Sequence, residues 1–125
     1  MNIRAFSHLD LDEMNDWYTQ RHEPTVPVEA LPSLGFLVPG VAAGFLYQTD
    51  SSLAFVEGLV SNPNARLCVR ARALALILEG LVEAARGFGF KQVIGMGRAS
   101  GPVKLTLRQG FRRIGSYEMV VKEVA

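Results

Sequence analysis

The chain has 125 residues, 49% of them hydrophobic and 20% charged, which fits one globular domain spanning residues 1–125 and excludes a disordered segment. No run reaches the roughly 18 apolar residues of a membrane span, because the densest stretch, residues 67–85, is broken by Arg70, Arg72, Glu79 and Glu83. The net charge of +1 hides a split: residues 1–61 carry two arginines against eight carboxylates, net −6, and residues 62–125 carry eleven Lys/Arg against four glutamates, net +7. A cationic half suits a phosphate-bearing ligand or a nucleic acid, or pairs with the acidic half inside one fold.

"MNIRAFSHLDLDE" turns acidic within ten residues, unlike a signal peptide. "NIRAF" alternates as a first strand, and "SHLDLDEMNDWYTQRH" reads as a helix with Ser7 as N-cap and acids in its early turns. Leu11, Met14, Trp17 and Tyr18 fall on one apolar stripe of it. "EPTVPVEALPSLG" is a loop, since proline removes donors and restricts the residue before it. Then "GFLVPG", "VAAGFLYQ" and "SLAFVEGLVS" form three short strands of an antiparallel meander, the third apolar enough to be covered on both faces.

Asn62-Pro63 predicts the start of a long helix, with proline at its first position, and Gly87 and Gly89 stop it. Arg72, Glu79, Glu83 and Arg86 line its polar stripe. "FKQVIGMG" follows as a buried strand, "PVKLTLRQG" as a short helix closed by Gly110, and "SYEMVVKEV" as a last strand. The strand–helix–strand unit makes a parallel, right-handed crossover. The predicted order is β-α-β-β-β-α-β-α-β.

Isolated chemical motifs are few. His8 and His22, with Asp10, Asp12 and Glu23 nearby, read as surface positions rather than a metal site. Cys68 excludes an intrachain disulfide and reads as a small buried hydrophobe in a reducing, cytoplasmic setting, although Arg66 and Arg70 flank it. "GMGRASG" at 95–101 leaves a late strand and lacks a P-loop lysine, so it reads as a turn. Nucleic-acid binding is disfavoured because no aromatic residues interleave with the arginines.

The order of elements, together with "RARALA" at 70–75 and "LTLRQGF" ending in Gly110-Phe111, resembles the GNAT superfamily of acyl-CoA-dependent N-acyltransferases, over nearly the whole chain. The family signature is Arg/Gln-x-x-Gly-x-Gly/Ala. Here Arg70 is followed by Ala71, Arg72, Ala73, Leu74 and Ala75, with alanine in place of the first glycine. The chain looks closest to small, divergent members, including ones encoded by phages. The resemblance implies an α/β (α+β) fold with a mixed, largely antiparallel sheet of about six strands flanked by helices. It also implies a coenzyme diphosphate held by residues 70–75, as a helix N-terminus accepts an anion.

Further roles follow from the same resemblance. Glu57, the only carboxylate in the fourth predicted strand, matches the base that takes a proton from the attacking amine. The backbone near Leu59, Val60 and Ser61, where the family's fourth and fifth strands splay, would polarise the thioester carbonyl. The family's tyrosine acid is matched by Thr106 and the asparagine often seven residues before it by Ala99, so the usual acid is missing. Trp17 and Tyr18 sit where the family covers its acceptor, or belong to the core. The activity implied is transfer of an acyl group, acetyl from acetyl-CoA, to an amine of a small molecule or protein, with no metal. The alternative is a GNAT fold without chemistry that binds a partner protein. A second copy could cover the sheet edge left by the short C-terminus, as a homodimer.

Overall fold

The first helix is entered through a reciprocal cap. Ser7 Oγ accepts from the Leu9 N–H at 3.3 Å and Asp10 Oδ2 accepts from the Ser7 N–H at 2.8 Å, satisfying donors that a helix start leaves open. A 3₁₀ turn at His8–Asp10 runs into α1, Leu11–Gln20. From β1, Arg4–Ala5, the Arg4 guanidinium reaches the same carboxylate at 2.7 Å and holds the Asp10 carboxyl below its ordinary value. Met14 and Trp17 are buried and Leu11 and Tyr18 half-buried, as the stripe predicts. Asn15 then clasps the proline-rich loop: its Nδ2 donates to the Val26 carbonyl at 2.9 Å, and its Oδ1 accepts from the Val26 N–H at 2.8 Å.

The computed structural model describes residues 1–97 and 102–125, the side chain of Pro102 apart. Beyond the loop come β2, Leu34–Val38, β3, Ala42–Gln48, and β4, Leu53–Ser61. The helix α2, Leu67–Gly87, crosses to β5, Gln92–Gly95, and α3, Pro102–Arg108, follows. The sheet has five strands in the order β1-β2-β3-β4-β5, antiparallel except for the β4–β5 pair. That parallel pair is what a helical crossover dictates.

Two apolar clusters sandwich the sheet. On one face α2 brings Ala73, Ile77, Leu78 and Leu81 onto Ala42, Leu46, Ala54 and Val56. On the other, Met14 and Trp17 of α1 meet Leu37, Ala43, Phe45 and Val60. Each fully buried Leu, Ile or Phe contributes about 1.5–3 kcal/mol. The strand covered on both faces is β3, buried continuously over residues 42–46, rather than β4 as its composition suggests. β3 lies at the sheet's centre, whereas β4 exposes part of its length beside the short β5.

Three further expectations are corrected. The long helix starts at Leu67, not at Asn62-Pro63. Asn62 is occupied elsewhere: its N–H donates to the Val41 carbonyl at 2.7 Å, its Nδ2 to the Gly40 carbonyl at 3.0 Å, and its Oδ1 accepts from the Asn64 N–H at 2.9 Å. That local ring forms a turn in place of a first helical turn. β5 is an edge strand with only its two middle residues half-buried, not a buried one. The last strand, expected over residues 116–124, does not form, so the described sheet has five strands instead of about six. Strand propensity alone does not hold an extended segment without a partner edge.

Candidate functional site

The site is built on a one-residue irregularity in β4. Ala43 faces Val60, yet Phe45 faces Glu57, so three steps on β4 oppose two on β3. Gly58 absorbs the extra residue at φ +68°, a backbone that glycine adopts without steric cost. The bulge reverses which side each later residue faces. Val56 packs with the α2 cluster and, after the bulge, so does Leu59, while Val60 packs with α1. Glu57 sits at this break, half-buried and paired across from Phe45.

β5 accompanies β4 only as far as Val56, which pairs with Gly95. Residues 57–61 of β4 consequently have no strand alongside them on that side, among the described residues. Leu59, Val60 and Ser61 thus lie on backbone that leaves its parallel neighbour, where an extended ligand can insert and use main-chain groups.

The N-terminus of α2 opens just beyond. Its N-cap, Arg66, is extended at φ −60°, ψ 144° and makes no side-chain cap, so the first-turn N–H groups of Leu67, Cys68 and Val69 have no intrahelical acceptor. The Arg70 N–H already donates to the Arg66 carbonyl at 2.9 Å. The structure places Arg70, Ala71, Arg72, Ala73, Leu74 and Ala75 within the helix body, one turn later than an amide nest for a phosphate requires. The Ala73 methyl faces the core with no exposure, so a glycine there is dispensable. The carbonyl of Ala75 accepts from Gln109 Nε2 at 3.0 Å, fastening α3 to α2. Amides that can face an anion are those of residues 67–69, which sequence reasoning passed over because Pro63 looked like the start.

Side-chain cations gather at the same end. Arg21, just past α1, donates through Nη1 to the Ser61 carbonyl and through Nη2 to Ser61 Oγ at 3.1 Å. Gln20 Oε1 accepts from Asn64 Nδ2 at 2.9 Å beside it. Burial, and next the charge of Arg70, push the Arg21 guanidinium below its usual value. Two guanidinium groups therefore lie within electrostatic reach of each other, and Arg70 Nε is buried without a hydrogen-bond partner. An orphaned donor beside a like charge is costly unless an anion joins it. Arg21 was missed in the sequence because nothing local links it to Ser61, 40 residues away.

On the α1 side, Tyr18, Tyr47 and Glu57 converge. Burial raises the Tyr18 phenol to about 12, with further upward contributions from Glu23, Tyr47 and Glu57. Burial and then Glu57 raise Tyr47 as well, whose hydroxyl donates to the Ala30 carbonyl at 3.2 Å. Tyr18 Oη lies 3.9 Å from where a Cβ on Gly58 would stand, so its hydroxyl borders the bulge. It stays protonated at neutral pH and can only donate or accept a hydrogen bond there. Because this phenol binds its proton more tightly when folded, stability falls as pH rises from 10 through 12. In a spectrophotometric titration we expect one tyrosine to ionise only near pH 12, and Tyr18→Phe to abolish that late step.

Other candidates separate from this centre. Thr106 Oγ1 donates to the Val103 carbonyl at 2.7 Å, so it spends its proton inside α3. Ala99, and the expected turn at 95–101 from residue 98 onward, lie outside the described residues. Cys68 is exposed in the first turn of α2 rather than buried, because the later helix start turns it outward. His8 and His22 are exposed on different segments. Among the described residues no group of three His, Cys, Asp or Glu could hold a metal ion, and no helix is long and apolar enough to cross a membrane.

No protein-family model matches the chain, and neither does any curated protein sequence. Solved structures do. A Mycobacterium tuberculosis protein in complex with CoA superposes with a TM-score of 0.75 at 15% identity, over 96% of this chain and 76% of that one. The ribosomal-protein-S18-alanine N-acetyltransferase of Escherichia coli gives 0.71 at 17%, over 91% and 79%. An acetyltransferase of Trypanosoma brucei gives 0.69 at 14%, over 97% and 99%. These likenesses, over nearly the whole chain, show that it has the fold of the GNAT acetyltransferases.

Proposed function

We propose that the protein is an acyl-CoA-dependent N-acyltransferase that uses acetyl-CoA and acylates an amine of a small molecule or protein. The observation that carries this reading is the coincidence, at one end of β4, of a strand segment that among the described residues is paired with β3 alone, an uncapped helix start and the Arg21–Arg70 pair with its orphaned donor. These residues fit a coenzyme diphosphate: the amides of Leu67, Cys68 and Val69 and the Arg70 side chain would bind it. Arg21 would add charge while holding Ser61 in place. The CoA complex of a similar fold supports a donor of this class.

Bound coenzyme would supply a thioester carbonyl whose sulfur can depart. The chain's own residues would do the rest. Main-chain N–H groups near Leu59 and Val60 would stabilise the carbonyl oxygen as charge gathers on it. Glu57 would accept the proton that the acceptor nitrogen loses as the new C–N bond forms. Water would supply the proton for the thiolate released as the C–S bond breaks, since a thiolate is a good leaving group. Neither Thr106 nor any tyrosine at its position is needed. Tyr18 and Tyr47 would frame the acceptor, a role for the first helix that the core-packing reading of Tyr18 alone omits.

The test is thiol release from acetyl-CoA, followed with a thiol reagent in a Cys68→Ser background, across a panel of amines that includes peptides with free N-termini. Release that depends on both acetyl-CoA and one acceptor class is the expected result. Saturable coenzyme binding without release for any amine would instead favour a protein that works by binding a partner.

A further inference from the structure

The turn that Tyr47 fastens also walls a cavity on the α1 side of the sheet. Tyr47 lies within electrostatic reach of Glu57, and its hydroxyl donates to the Ala30 carbonyl at 3.2 Å. The 3₁₀ turn that carries Ala30, Val28–Ala30, gives Val28 to the rim of the cavity. Leu31, Pro32 and Phe6 are its half-buried walls, and His8 and Ser33 are exposed at its mouth. Phe6 is held by an edge-on contact with Phe45, ring centroids 4.9 Å apart. The cavity measures about 190 Å³. An apolar cavity of about 150 Å³ is large enough to hold benzene, so this one admits a single aromatic ring, with the Phe6 ring as its stacking partner.

The sheet sets how far this cavity lies from Glu57. Glu57 faces Phe45, Phe45 faces Gly35, and the Phe6 N–H donates to the Gly35 carbonyl at 2.9 Å. These residues form one row from β4 to the end of β1. Three strand spacings of about 4.8 Å make about 14 Å, which an extended chain covers in about four residues of about 3.3 Å each.

Charge selects the kind of chain. Both arginines of residues 1–61 are engaged, Arg4 with Asp10 and Arg21 with Ser61. Eight carboxylates lie in the same half, a surface that draws a cation. With one carboxylate as base, an α-amine with a pKa of about 8 gives up its proton far more readily than a lysine at about 10.4.

We propose that the acceptor is the free N-terminus of a polypeptide, its amine at Glu57 and the aromatic side chain of its fourth or fifth residue in the cavity between Phe6, Leu31 and Pro32. The inference rests on the acyltransferase reading and adds to it a pocket that determines specificity.

The test follows thiol release in the Cys68→Ser background with lysine-free peptides, one phenylalanine being moved a position at a time along an otherwise Ala/Gly chain. The kcat/KM should peak with the ring on the fourth or fifth residue, at least about tenfold above alanine there, the scale on which an apolar pocket discriminates. An N-acetylated copy of the best peptide should be inert. Val28→Trp and Ser33→Trp, both at exposed positions, narrow the mouth. Each should raise KM for the best peptide by at least about tenfold and leave its kcat, while KM for a dipeptide too short to reach the cavity stays unchanged. Equal rates wherever the ring stands, or a KM that neither variant alters, would overturn the proposal and leave the acyltransferase reading intact, as would release with small amines alone. No release with any peptide or amine would overturn both.

Discussion

Glu57→Gln is expected to lower turnover by about 10²- to 10⁴-fold, the range for losing a positioned base, with acetyl-CoA affinity unchanged. The two side chains have nearly the same shape, and Glu57 stands at the bulge rather than among the cations that would take the diphosphate. Glutamine therefore leaves the coenzyme's cradle intact and removes only the ability to take a proton. The defect should shrink as pH rises, because hydroxide can then take the proton that the nitrogen sheds in place of the missing carboxylate. Steady-state rates across neutral to alkaline pH check this. Full activity in Glu57→Gln at neutral pH would assign the proton to another group or to water.

Gly58→Val should have the largest structural effect, lowering stability by about 2–5 kcal/mol in chemical denaturation. A left-handed backbone costs a residue with a Cβ about 1–2 kcal/mol. The new Cβ would stand 3.0 Å from Phe45 Cδ2, and overpacking adds about 1–3 kcal/mol. Escape by flattening the bulge is blocked. A one-residue slip would turn Val60 away from the α1 cluster and Leu59 away from α2, reversing both faces at once. The variant that does fold should no longer bind acetyl-CoA, because the bulge sets which way Leu59 and Val60 face. A stable Gly58→Val protein that binds normally would show that the β4 irregularity is incidental.

Much of the fold was legible because local chemistry and tertiary structure agree. The α1 stripe, the meander and the parallel crossover all follow from periodicity and turn residues. What was not legible depends on distant partners. The helix start was misread because Asn62 is captured by the carbonyls of Val41 and Gly40, which no window around Pro63 contains. Residues 70–75 keep the GNAT signature's spacing but lie inside the helix, so the amides left without an intrahelical acceptor are those of residues 67–69. Arg21 enters the site only through a contact 40 residues away. Residues 116–124 carry strand propensity, and propensity cannot say which edge, if any, they meet.

The most direct measurement is calorimetric titration of acetyl-CoA into the wild-type chain and into Arg70→Glu. If the open end of α2 and its paired guanidiniums hold a diphosphate, the wild type binds saturably. The charge reversal should then weaken binding by at least about tenfold, the scale of one charge-assisted hydrogen bond. Absence of saturable binding to the wild type, or equal affinity in Arg70→Glu, would contradict a coenzyme seated there.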